Sequence, residues 1–179
     1  MSEIVLGEKS NLSAVLVSFR SPWSLAKGTV FDVECRDAKT GDGVFLSVTE
    51  HTSTNDIAKV PQSFFLEQLF APTGRFSFYG APTDLKVKKS EIIDGKRYIQ
   101  FSFANLSQST NAEIPRTAIM VASIPEGLDQ AVMLVGSSTT SRWKKGAESD
   151  IKKTVDSFNA SISPKSTMKV RAKQPEYLL

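Results

Sequence analysis

Imidazole and thiol chemistry have almost nothing to draw on in this sequence, which holds one histidine, His51, and one cysteine, Cys35. A lone cysteine excludes an intramolecular disulfide and a multi-thiolate metal site. A lone histidine excludes two-histidine metal motifs. Long apolar runs are also lacking. The longest, such as AVMLV at 131–135, fall far short of the roughly 20 residues that cross a bilayer. The opening stretch MSEIVLGEKS has neither the apolar core of a secretory signal nor the Arg/Ser-rich character of a transit peptide. It reads as a cytosolic protein or as a mature form relieved of its targeting segment. Phosphate-cradling loops ending in Gly-Lys-Ser/Thr and Gly-x-Gly-x-x-Gly turns are missing. The stretch VGSSTTS supplies serines without the flanking glycines of a nucleophile elbow.

What is present is the composition of a globular protein: 40% hydrophobic and 23% charged over 179 residues, enough for one domain with a sizeable core. The net charge of +3 is concentrated at one end. From Pro164 onward Lys165, Lys169, Arg171 and Lys173 face only Glu176, which leaves 1–163 formally neutral. A neutral body argues against a nucleic-acid surface, because phosphate binding needs cations clustered on a folded face. The expected organisation is an N-terminal segment over 1–12, a domain over 13–161 and a basic tail over 162–179.

Hydropathy patterning predicts an α+β fold. SAVLVSF at 13–19 is strand-like. VFDVECRD alternates, with Phe31, Val33 and Cys35 opposite Asp32, Glu34 and Arg36, and a turn with two glycines leads into VFLSVTE. Phe64, Phe65, Leu66, Leu69 and Phe70 then recur at helical spacing behind Pro61. The next hairpin turns at Asp94-Gly95, and in its second arm Ile99, Phe101 and Phe103 alternate with Tyr98, Gln100 and Ser102. RTAIMVASI and AVMLVGSS are apolar on both parities, as central strands covered on two faces should be. Trp143, Ala147, Ile151, Val155 and Phe158 mark one face of a terminal helix that Ser141 is placed to cap. With no βαβ alternation, the expectation is an antiparallel sheet of six or seven strands with helices on its faces.

Candidate sites are few. Glu50, His51 and Asp56 could supply three ligands to a divalent ion such as calcium; the alternative is a solvated strand end. Cys35 shares a parity with Phe31 and Val33 and reads as a small core residue. Around Trp143 lie Arg142, Lys144, Lys145, Lys152 and Lys153, either a docking face for an acidic partner or the solvated side of an amphipathic helix. In both readings the indole anchors the helix and the cations remain outside.

The run MLVGSSTTSRWKKGAESDIKKTVDSF resembles the C-terminal signature of the PsbP family, the extrinsic lumenal proteins of photosystem II and their relatives. The residues that match are Arg142, Trp143, Lys144, Val155, Ser157 and Phe158. Upstream, IIDGKRYIQFSF is similar to the family hairpin at Asp94, Gly95, Lys96, Tyr98, Phe101 and Phe103, and RTAIMVAS echoes a family strand. Matching is good over about 83–158. Before that only Pro22-Trp23 is kept of the expected tyrosine-rich motif, which marks a divergent member. The resemblance implies an α-β-α sandwich around a central antiparallel sheet. It further implies a non-catalytic accessory subunit or assembly factor, peripheral to the lumenal side of the thylakoid membrane. The implied partners are core subunits of photosystem II, where the family helps retain calcium and chloride, or photosystem I or the NDH-like complex. A small-ligand or metal-binding module, using a pocket between sheet and helix, is the reading from another class. Lys165, Lys169, Arg171 and Lys173 of the tail would join the helix cations in partner binding.

Overall fold

The computed structural model describes residues 2–6, 13–26, 33–77, 81–107 and 109–163. Its main sheet has six antiparallel strands in the order β3-β4-β8-β7-β6-β5. They are β3 (Glu34–Arg36), β4 (Gly43–His51), β5 (Thr83–Ile93), β6 (Lys96–Leu106), β7 (Glu113–Ser123) and β8 (Gln130–Thr139). The α+β character expected from the alternating runs and helical stripes is thus present, with strand outweighing helix, and so is the antiparallel pairing. The Asp94-Gly95 turn is made with φ of 50° and 71°, the handedness a two-residue hairpin needs. At the free edge β5 exposes nearly every side chain and carries Lys86, Lys88 and Lys89, charges that discourage edge-to-edge pairing.

Strand parity sorts the core into two layers. On one face Ile99, Phe101, Met120, Met133 and Val135 meet Phe65 and Leu69 of α1 (Gln62–Phe70). On the other face Val44, Leu46, Val121 and Leu134 meet Trp143, Ile151, Val155 and Phe158. Each large side chain so buried contributes about 1.5–3 kcal/mol. β8 and, from Thr117 onward, β7 are buried on both parities because a layer covers each face there.

The second layer also contains a small sheet that patterning did not separate from the first. β1 (Ser2–Leu6), β2 (Ser13–Ser18) and β9 (Asn159–Ile162) pair in the order β1-β2-β9 and bury Leu6, Val15 and Val17 against the helix side. Residues set apart as an N-terminal segment therefore form a strand of the fold. The domain likewise runs through Ile162. Phe31, Asp32 and the tail cations Lys165, Lys169, Arg171 and Lys173 lie outside the described residues.

The terminal helix differs from the single capped cylinder expected. α2 (Thr140–Arg142) starts after Thr139, two residues before the expected cap, so Ser141 lies inside the helix and does not cap it. A widened turn over Trp143–Ala147 follows, kinked at Gly146 with φ of 117°, and α3 (Glu148–Asp156) runs on from it. Gly146 takes a backbone conformation that side-chain-bearing residues avoid. The apolar stripe survives the kink: Trp143 is 6% exposed and Ile151 and Val155 are fully buried. α3 lies close against β8 because position 136 is glycine; a Cβ there would stand 2.6 Å from Ile151 Cγ2.

Candidate functional site

α1 is too short for the sheet it covers. Its nine residues span about 13 Å, whereas the eleven of β7 span about 36 Å. At the uncovered end of that face, under the 3-10 turn Arg75–Ser77, a cavity of about 510 Å3 opens. Parity brings polar groups into it: Glu34 and Arg36 from β3, Arg116 from β7 and Ser137 from β8. Arg116 continues the row of Ala118, Met120 and Ala122, so a guanidinium occupies a position that is apolar further along the strand.

Glu34 is buried, with its side chain only 5% exposed, and Oε1 accepts from Arg75 Nη2 at 2.5 Å. Arg36 stands 3.8 Å from the same oxygen and is half exposed. Arg116 Nη2 donates to Ser137 Oγ at 3.0 Å and reaches the Gly41 carbonyl at 3.5 Å. Among the described residues it has no carboxylate within ion-pair distance. Burial pulls the Arg116 guanidinium below its usual value; the nearby charge of Asp42 opposes that, and the like charge of Arg75 adds to it. The apolar wall is Val44, Phe45, Phe76, Leu106 and Ile114. The Arg75 guanidinium lies 5.8 Å from the Phe45 ring centroid, and Asn105 Nδ2 donates to the Phe76 carbonyl at 2.9 Å, fixing the 3-10 turn over the sheet. Guanidiniums stay charged near neutral pH and have no acceptor. They bind and orient anions and do not shuttle protons.

The residues expected to carry a site are distributed differently. Arg142 is not a free surface cation: its Nε donates at 2.7 Å to Oδ2 of Asp42, whose side chain is 4% exposed. Asp42 Oδ1 has no hydrogen-bond partner among the described residues. Lys152 is paired with Glu148 at 2.6 Å, one helical turn away. Lys144, Lys145 and Lys153 are exposed. The structure does not gather the possible metal ligands. His51 Nδ1 lies 2.9 Å from Asp129 Oδ1, Asp56 pairs with Lys59 at 3.5 Å, and Glu50 is exposed. Among the described residues no group of three His, Cys, Asp or Glu side chains comes together. Phe101, Phe103 and Phe158 are buried anchors as expected, and Tyr98 packs at the margin of the α3 layer.

Glu34 and Arg75, and Arg116 with Ser137, were not singled out from sequence. The one available signal was parity: an arginine two residues before a buried alternating row.

No family model matches the chain, and no curated protein matches it. Among solved structures it is similar to the crystal structure of LpqN, described as involved in cell envelope biogenesis of Mycobacterium tuberculosis. The identity is 14%, the TM-score 0.49, and 91% of each chain is covered. A likeness of that degree decides neither fold family nor function. No helix among the described residues is long and apolar enough to cross a membrane.

Proposed function

We propose that the chain is a non-catalytic binding module whose working site is the arginine-lined cavity beyond α1, and that the cavity receives a negatively charged group. The observation that carries this reading is Arg116, a partly buried guanidinium that faces about 510 Å3 of open space and, among the described residues, has a hydroxyl and a carbonyl as its hydrogen-bond partners. A desolvated cation without a carboxylate is stabilised by whatever anion reaches it, and such charge-assisted contacts are stronger than neutral ones. Arg75 and Arg36 stand beside it, and Ser137 adds a hydroxyl. The test is nuclear magnetic resonance of the whole chain titrated with acetate and inorganic phosphate. Resonances of Arg116, Ser137 and Arg75 are expected to move with saturation, and Arg116→Gln to abolish the response. An unchanged spectrum with both anions refutes the reading.

A second reading places the module as an accessory or assembly protein on the lumenal side of a thylakoid membrane, serving photosystem II, photosystem I or the NDH-like complex. It rests on the PsbP resemblance. In its favour, the two stretches that carry the resemblance touch: Lys96 Nζ, next to the Asp94-Gly95 turn, donates to the Phe158 carbonyl at 2.5 Å. Exposed Lys144, Lys145 and Lys153 would meet acidic loops in contacts that are weak singly and screened by salt. Graded salt washing of thylakoids tests it. Absence from the membrane-bound fraction at the lowest salt removes the docking role.

A further inference from the structure

We infer that the cavity's ligand is an amphipathic monoanion, a carboxylate carried on an apolar body; this rests on the binding reading above. Two features of the lining point there. The first is charge. Arg75 is engaged by buried Glu34, and Arg36 is half in water beside the same carboxylate, so Arg116 is the cation left to match. A single negative charge answers it, whereas a phosphate monoester would bring nearly two.

The second feature is the order of groups along β7. Ile114 and Arg116 lie on the same face two residues apart, about 7 Å at strand spacing. Ile114 is 37% exposed and Leu106, one residue past its register partner Asn105, is 45% exposed, so the rim beyond the guanidinium presents hydrocarbon to solvent. Phe76, 7% exposed, closes the wall between them and the core. A head group on Arg116 and Ser137 thus leads its attached chain directly onto Ile114 and Leu106. Removing that rim from water adds about 25 cal/mol per Å2 of apolar surface covered, which a bare anion does not gain. The volume falls within the range of sites for small organic ligands rather than ions.

Calorimetric titration of the whole chain with dodecanoate below its micelle-forming concentration tests the assignment, with acetate, dodecanol and dodecyl phosphate as companions. Dodecanoate is expected to bind at one site, with acetate and dodecanol each weaker by about tenfold or more. Arg116→Gln is expected to weaken dodecanoate by about tenfold or more, and so is Ile114→Asp, which sits on the exposed rim where folding is spared. Dodecanol binding as tightly as dodecanoate, or dodecanoate binding no tighter than acetate, overturns the inference while leaving the anion site intact. Dodecyl phosphate binding about tenfold tighter than dodecanoate overturns the monoanion assignment. If none of the four ligands binds, the binding reading falls too.

Discussion

Gly136→Ala offers a test of how closely α3 is pressed onto the sheet. The added Cβ would lie 2.6 Å from Ile151 Cγ2 and 3.1 Å from Val44 Cγ1. Ile151 is fully buried and β-branched, so its methyl has little room to turn away. Overpacking of this kind costs about 1–3 kcal/mol. Against that stands a gain of about 0.4–1 kcal/mol from restricting the unfolded chain, available because Gly136 is not among the positive-φ glycines. The steric term is larger, and a net loss of about 1–2 kcal/mol is expected. Ile151→Ala alone should cost about 2–5 kcal/mol through the cavity it leaves. In that background the offending methyl is gone, and Gly136→Ala should change sign, from destabilising to neutral or stabilising by up to about 1 kcal/mol. Urea unfolding followed by far-ultraviolet circular dichroism and by tryptophan fluorescence measures all four proteins, with coincident transitions as the two-state check. A Gly136→Ala loss of the same size in both backgrounds would refute the close approach of α3 to β8.

Arg142→Ala removes the guanidinium from the buried Asp42 carboxylate and should lower stability by about 2 kcal/mol, while Lys145→Ala on the exposed turn stays within about 0.5 kcal/mol. Equal urea midpoints for the two variants would return Arg142 to the solvated cations. Gly146→Ala forces a side chain into the kink and should cost about 1–3 kcal/mol by thermal unfolding; an unchanged midpoint would mean the helix straightens there without penalty. The Tyr98 hydroxyl is held above its ordinary value by burial, then by the charges of Asp156 and Asp94. Because the folded state binds that proton more tightly than the unfolded chain, stability should decline as pH rises past about 10. Asp156→Asn should bring the phenolate absorbance transition to lower pH, and a stationary transition would remove Asp156 as a cause.

Local pattern carried the reading of the strands and helices because period and turn chemistry are local quantities. The Asp94-Gly95 hairpin, the two-sided apolar character of β7 and β8, and the stripe from Trp143 to Phe158 are all present where they were expected. The small sheet was not legible: β2 reads as one more alternating strand, and its partner β9 is four residues of unremarkable hydropathy. The site was hidden for the same reason. Alternation sets Glu34 on the polar side of β3, and nothing local signals that this side is roofed by Arg75, forty-one positions on. Asp42 stands between the two glycines of a turn, and its partner Arg142 lies a hundred positions later. Arg142 itself was read with its sequence neighbours as part of a cationic face, and its neutralising partner is visible only in three dimensions.

The β1-β2-β9 arrangement has a consequence for how the chain is made. β2 leaves the ribosome long before its second neighbour β9: Ser18 pairs with Asn159, 141 positions further on. During synthesis one side of β2 therefore waits without a partner while the rest of the domain is still emerging. Late, long-range strand pairing of this kind is slow and leaves a nascent edge open to stray association. A stall or stop codon before Asn159 would release a product with that edge permanently bare, and aggregation during translation is the hazard such a topology carries.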